Sequence, residues 1–316
     1  MQVQKPTTEE SKAAPLEPVS ARLSDMHSAD HYARITRRSE LNGKFMRVVL
    51  WITLCVGAAI FMMPLYIMTV MSLKTNGEVA ATAPWEWPKE LTWENFQLVL
   101  TNPNAPFMLF FRNTFVISAI ATFGVLMSAA LVAYAFARLK FRGRDRLFLL
   151  LLSTMMLPGM VTMIPSYVMF AKMGWVDSML PLTVPAFFGG GAFNIFLLRQ
   201  FFMGIPRELD EAAILDGAPH SVIFWKIIMP NSMPALTTVG VFAFIYNWKD
   251  FQGPLIYLND PEKQTLEAGL RTYQTLHNEQ WNLLMAGAML VMIPLIIMFI
   301  AGQRYFVKGI TMSGLK

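Results

Sequence analysis

Six apolar blocks, each about twenty residues or longer, constrain this chain more than any other feature. They run from Val48 to Leu73, Thr114 to Ala137, Leu147 to Ala171, Met179 to Leu198, Met233 to Leu258 and Leu283 to Gly302. A helix rising about 1.5 Å per residue crosses the roughly 30 Å hydrocarbon layer in about twenty residues. A single soluble core stops growing near ~250 to 300 residues, and it would show shorter, amphipathic runs. Of the 316 residues 54% are apolar and only 15% charged, against roughly 25% charged in a soluble domain. The chain reads as an all-α, polytopic membrane protein with six transmembrane helices.

The same composition removes several function classes. The 24 Met and 13% aromatic residues argue against a disordered chain. The one cysteine, Cys55, lies inside an apolar block, which excludes a disulfide framework or thiolate cluster. The four histidines leave little for metal chemistry, and no metal site is expected. No GxxxxGK[ST], HExxH or GxSxG run occurs. The chain is therefore expected to be no enzyme, to bind no cofactor, and to depend on others for any chemical step.

Residues 1–44 are polar, carry Glu9, Glu10 and Glu17, and have no apolar core for a signal peptide. They are expected to form a disordered or weakly helical cytoplasmic tail, with residues 45–316 as the membrane domain. His27 and His31, spaced i and i+4 within it, are read as solvated. Positive charge near the membrane sets the orientation, because Lys and Arg are retained inside. Arg34, Arg37, Arg38, Lys44 and Arg47 precede the first span; Arg138, Lys140, Arg142, Arg144 and Arg146 follow the second. Arg199, Arg207 and Lys226 follow the fourth, and Arg304, Lys308 and Lys316 the sixth. The opposite connections hold only Lys74, Lys89, Arg112, Lys172, Lys263 and Arg271. Both termini are placed in the cytoplasm, and the net charge of +5 needs no nucleic acid to explain it.

The connection 205–230 is too apolar for a floppy linker. Pro206 suits a helix start, and Glu208, Asp210 and Glu211 complement the positive end of the helix dipole. Gly217 supplies a stop before Pro219 opens a second short helix. Ala212, Ala213 and Gly217 offer little bulk, while Leu209, Ile214 and Leu215 offer apolar anchors. Helix, glycine elbow, helix is the expected form, and docking to a cytoplasmic protein the expected use.

At this loop the sequence resembles a known family. Glu211-Ala212-Ala213, Gly217, Ile227 and Met229-Pro230 are similar to the EAA motif of permease subunits of bacterial ATP-binding-cassette importers. Met229 stands where that motif has Leu, a swap that keeps volume and apolarity. The likeness is nearest to the maltose-permease G-type subunits of carbohydrate importers. It extends to Ser72-Leu73-Lys74, Arg112-Asn113-Thr114, Ala133 to Arg138, Trp248 to Phe251 with Gly253-Pro254-Leu255, and the tail from Val307.

The resemblance implies a type I importer permease fold in the bacterial inner membrane. It implies a second related permease, two cytoplasmic ATPases that carry ATP and Mg, and an extracytoplasmic binding protein that delivers a sugar. Glu211, Ala212, Ala213 and Gly217, with Leu209 and Asp216, would then meet the ATPase. A glycerol phosphate or other polyol derivative is the alternative solute. A membrane scaffold or an intramembrane enzyme is the alternative outside transport.

Charged groups inside a span cost roughly 2.5 to 3.5 kcal/mol each on insertion scales, so Lys249 and Asp250 attract a functional reading. With Tyr246, Asn247, Trp248 and Phe251 they mix rings and hydrogen-bonding groups, as a sugar path requires. A cation at Lys249 would favour an acidic or phosphorylated sugar. The other reading has Lys249 and Asp250 neutralise each other or snorkel to the interface. Pro158, Pro165, Pro181, Pro185 and Gly189 to Gly191 predict kinks and close helix contacts. The acidic outer loops, 259–282 above all, are expected to receive the binding protein.

Overall fold

The structure is a computed structural model that describes residues 19–275 and 278–313. It is helical throughout, apart from a minimal antiparallel ladder pairing Gln274 with Glu279 and Thr275 with Asn278. Among the described residues, four helices are long and apolar enough to cross a membrane, and six if two sharply bent pairs each count as one span.

The principal helices, in chain order, are α1 (Val19–Ser72), α2 (Phe107–Arg138), α3 (Arg144–Ser153), α4 (Gly159–Lys172) and α5 (Ala192–Gly204). They continue with α6 (Glu208–Leu215), α7 (Met233–Trp248), α8 (Gln252–Tyr257), α9 (Leu266–Leu270) and α10 (Trp281–Ser313). The chain divides after Pro64 into two compact units.

From Val19 onward the polar N-terminal stretch is helical and runs into the first apolar block as one helix, α1. No Pro or Gly lies between Val19 and Asn42, so nothing in that stretch breaks the backbone ladder. Residues 1–18, and the side chains of His27 and His31, lie outside what the structure describes.

Three spans differ from simple rods, each for a local reason. The third breaks between Met156 and Gly159 and turns by 97°. Pro158 forces Leu157 out of the helical region, with ψ at 119°. The fourth breaks at Gly189, Gly190 and Gly191, all with positive φ, before α5 begins. The fifth ends as a helix at Trp248 rather than Leu258. Its N-terminal side bends by 80° where His220–Asn231 meets α7.

Within the second unit, α2 is the centre of packing. Gly124, Ser128, Ala129, Ala133 and Ala137 form a buried small-residue face, which lets other backbones approach closely. Ile195, Leu198 and Phe202 of α5 and Leu236 and Val239 of α7 close on Ala129, Ala130 and Ala133. At Gly190 the approach is so tight that a Cβ would lie 2.6 Å from that of Ala129. Ser128 Oγ reaches the Ala186 carbonyl at 2.8 Å, satisfying a group freed by the break.

A second cluster gathers Val99, Phe107, Phe110, Trp248, Leu266, Leu270, Leu283 and Val291. Asn113 Nδ2 donates to the Glu262 and Gln264 carbonyls at 2.8 and 3.0 Å, and Thr114 Oγ1 accepts from Leu266 N at 2.8 Å. Asn95 Nδ2 donates to the Ser72 and Lys74 carbonyls, both at 2.8 Å. Several residues that carry the family resemblance thus act as pins holding connections to spans.

Candidate functional site

The connection between α5 and α7 folds as helix, elbow, helix. Helix α6 begins two residues after Pro206 and carries Glu208, Asp210 and Glu211 in its first turn. Gly217 takes φ +79°, the left-handed conformation that ends the helix. The Gly217 and Ala218 amides donate to the Ile214 and Ala213 carbonyls at 3.0 and 2.9 Å. From Ile223 to Ile228 the turn widens into a π-helix, burying Ile223, Phe224 and Ile228.

Leu215 stands 88% exposed, and Leu209, Ile214, Glu211, Ala212 and Asp216 are also exposed. Ala213 differs from expectation: it is half-buried and packs on the chain's own core, so its small size serves internal packing. The free face of α6 is therefore Leu209, Glu211, Ala212, Leu215 and Asp216. Two exposed leucines thus lie beside two acids on one face of a short helix.

The sequence reading missed what holds that face in place. Arg138, the last residue of α2, has its side chain only 3% exposed and pairs with Asp210 of α6 at 3.3 Å. The same guanidinium donates to the Phe202 and Ile205 carbonyls at 2.7 and 2.8 Å. One side chain thus joins the end of α2, two carbonyls at the end of α5 and the first turn of α6. Tyr134, one turn earlier, lies 3.3 Å from His220 Nδ1 and packs edge-on against Phe224. The signal available in sequence was an arginine closing a long apolar run, Thr114 to Ala137, which charge counting alone treats as topology.

A cavity of about 650 Å³ opens among the fourth and fifth spans and α8. Pro181, Pro185, Phe188, Phe193, Phe242, Tyr246 and Tyr257 give it apolar and ring surfaces, and Asn194, Asn247 and Asp250 give it polar groups. Of the six residues expected along a solute path, Tyr246, Asn247 and Asp250 line it. Tyr246 is 78% exposed.

Trp248, Lys249 and Phe251 do not line it. Trp248 is 1% exposed, stacks on Phe244, meets Phe111 edge-on and donates Nε1 to the Val291 carbonyl at 3.2 Å. It turns inward because α7 places it on the face opposite Tyr246. Lys249 follows the last residue of the helix and is exposed.

Lys249 and Asp250 form no ion pair. Asp250 Oδ1 instead accepts the Gly253 amide at 3.0 Å at the start of α8. Gly253 has no room for a side chain, because a Cβ would collide with the Asp250 carboxylate and Leu182. The charge that Lys249 does influence is Glu267 of α9: burial raises that carboxyl above its ordinary range, and the Lys249 charge opposes the rise.

Just beyond α8, Asp177 ties two connections together. It is the sole non-glycine with positive φ among the described residues, at 62°. Its Oδ1 accepts the Asn259 and Asp260 amides at 3.1 and 3.0 Å, and its Oδ2 meets Lys263 Nζ at 2.8 Å. The Lys263 hydrogen bond, reinforced by the Asp260 and Asn259 amides, holds the Asp177 carboxyl below the usual range; the same bond raises Lys263.

Residues 126–312 match the family described as binding-protein-dependent transport system inner membrane component. An arabinooligosaccharides transport system permease protein of Halalkalibacterium halodurans is 33% identical over 72% of this chain and 81% of its own length. An sn-glycerol-3-phosphate transport system permease protein of Yersinia pestis is 32% identical over 86% of this chain and 98% of its own. In fold, the chain is similar to a crystal structure of a bacterial ABC transporter involved in importing the acidic polysaccharide alginate. That match has a TM-score of 0.72, 24% identity, and covers 83% of this chain and 97% of the other. A second alginate transporter structure, in complex with a pentasaccharide-bound periplasmic protein, matches with a TM-score of 0.59 and 12% identity over 81% and 93%.

Proposed function

The chain belongs to the family of binding-protein-dependent transport system inner membrane components, multi-pass proteins of the bacterial inner membrane, and from that premise we propose how it works as a sugar permease. It is one of two related permease subunits; two cytoplasmic ATPases bind ATP and Mg, and an extracytoplasmic binding protein delivers the solute. Six spans cross the membrane with both termini inside, the two bent helix pairs each counting as one. The domain 45–316 carries transport, and the loop 205–230 couples it to ATP hydrolysis.

The observation that carries this reading is α6, a short helix with an exposed Leu209, Glu211, Ala212 and Leu215 face, fixed by Arg138 to the ends of α2 and α5. An ATPase that moves this face moves the ends of both spans, because the guanidinium links them within hydrogen-bond distance. Gly217 makes the helix end abruptly, and Ala213 seats it on the core. Glu211, exposed in the first turn, faces a basic residue of the ATPase.

The cavity of about 650 Å³ is the solute path. Its rings offer faces to the CH surfaces of a sugar, and Asn194, Asn247 and Asp250 offer partners to hydroxyls. The charged side chain lining it is an acid, and Lys249 points elsewhere, so the geometry favours a neutral sugar or polyol over a phosphorylated one. A glycerol phosphate or other polyol derivative stays as the alternative solute, in line with the sn-glycerol-3-phosphate permease among the relatives. The connections joined by Asp177, with the loop 259–282, receive the binding protein.

Co-purification tests the assembly. A complex with a cognate ATPase, whose activity rises when solute-loaded binding protein is added, is expected. An isolated chain that recruits no ATPase, or an ATPase indifferent to the loaded binding protein, would overturn the reading.

A further inference from the structure

We propose that the basic cavity between the α2–α3 connection and the start of α6 is a binding site for a phosphate ester, occupied by the headgroup of an anionic phospholipid. The cavity holds about 540 Å³ and is lined by Lys140, Phe141, Gly143, Arg144, Asp145, Arg146 and Arg207. Its charges are four cations and one carboxylate, and that carboxylate is already engaged, since Arg144 Nε lies 3.0 Å from Asp145 Oδ1. Among the described residues, no carboxylate pairs with Lys140, Arg146 or Arg207. Cations gathered around a cavity repel one another, and an anion that neutralises several of them at once is the ligand such a cluster selects.

The local fold gathers these charges. Gly143 takes φ +84°, reversing the chain between Phe141 and α3 and setting Lys140 on the same rim as Arg144 and Arg146. Arg207 comes from more than sixty residues away, at the N-cap of α6. The cavity is therefore built from two connections and not from one run of sequence.

The neighbouring surface identifies the source of the phosphate. Leu147, Leu149 and Leu150 of α3 follow directly and are exposed, as is Phe141 on the cavity wall. Apolar side chains in that position face lipid tails, and a basic pocket at their polar edge lies at headgroup depth on a leaflet rich in anionic lipid. A free cytosolic anion would need the cations but not the leucine rim. A lipid bridging Arg146 and Arg207 would join the α2–α3 connection to the base of α6, so the membrane itself would stiffen the coupling helix.

This inference rests on the cytoplasmic placement of both loops proposed above, and the test separates the two. The assembled importer is placed in nanodiscs of phosphatidylcholine with or without phosphatidylglycerol, and the lipids retained after mild delipidation are weighed by native mass spectrometry. The wild type is expected to retain phosphatidylglycerol in preference to phosphatidylcholine. The triple variant Lys140→Gln, Arg146→Gln, Arg207→Gln should lose that preference by at least about tenfold, while Lys140→Arg, Arg146→Lys, Arg207→Lys keeps it.

No preference in the wild type overturns the site, whatever the variants do. Displacement of phosphatidylglycerol by inorganic phosphate or glycerol phosphate would assign the cations to a free anion and overturn the lipid. Unchanged lipid retention with weakened ATPase association would make the cavity a protein contact. Sidedness is read independently: Arg142→Cys in a Cys55→Ser background should react with an impermeant maleimide only from the cytoplasmic side. Labelling from outside would sink the topology instead.

Discussion

Arg138→Gln is the perturbation that most directly probes how α6 is held. The change removes the Asp210 partner, whose side chain is 13% exposed, and two charged hydrogen bonds to the Phe202 and Ile205 carbonyls. Removing one member of a buried pair typically costs about 3 to 5 kcal/mol, because the other charge stays behind. Asp210→Asn is milder, since the guanidinium keeps both carbonyl hydrogen bonds and loses only its counter-ion, which costs about 1 to 3 kcal/mol for a buried group left without its partner. With Arg138 already replaced, Asp210→Asn should cost little, giving a coupling energy of about 1 to 3 kcal/mol in a double-mutant cycle.

The assay is the thermal unfolding midpoint of the assembled importer, with solute imported per ATP hydrolysed measured alongside. A residue that only stabilises the fold would lower the midpoint and leave that ratio intact. Arg138 is expected to lower both, with basal ATPase activity preserved. Additive effects of the two substitutions, or an unchanged ratio of solute to ATP, would refute the argument.

Three further outcomes follow from local geometry. Gly217→Ala should destabilise by about 1 to 2 kcal/mol in thermal unfolding because φ is +79°, and Gly217→Asn by less, since Asn tolerates that region better. Gly190→Ala should be worse than Gly217→Ala, because its Cβ would meet both Ala129 Cβ and backbone atoms of α2; equal midpoints would contradict the close approach. The Asp177 carboxyl is depressed, so the order it gives to the 259–263 connection is present above the ordinary carboxylate pKa and lost as pH falls through its own lower value. Lys263 is raised, so its share persists at neutral pH and is lost only in strong alkali. Hydrogen exchange at Asn259 and Asp260 should stay protected from pH 5 to 8, and Asp177→Ala should abolish that protection.

Much of this architecture is legible in the sequence, and what escapes it escapes for physical reasons. Hydropathy locates the spans because lipid demands long apolar runs. Pro158 and the Gly189 to Gly191 run announce breaks because they act through the backbone alone. The loop 205–230 reads correctly as helix, elbow, helix for the same reason. Which way Trp248 points is a different kind of question: its position next to Lys249 suggests one shared environment, but adjacent residues on a helix face different directions. Just past the end of α7 at Trp248, Asp250 captures the Gly253 amide, a side-chain bond three residues long that periodicity does not register. Arg138 counts as one more inside positive until its carbonyl partners, more than sixty residues away, are brought to it.

The central claim is that α6 couples ATP hydrolysis on a partner to movement of a neutral sugar through this subunit. Uptake of radiolabelled oligosaccharide into proteoliposomes carrying the assembled importer tests it most directly, with Glu211→Lys beside the wild type. The wild type should import only with internal-face ATP and loaded binding protein, and Glu211→Lys should assemble yet import almost nothing. Undiminished ATP-driven uptake by Glu211→Lys would contradict the claim.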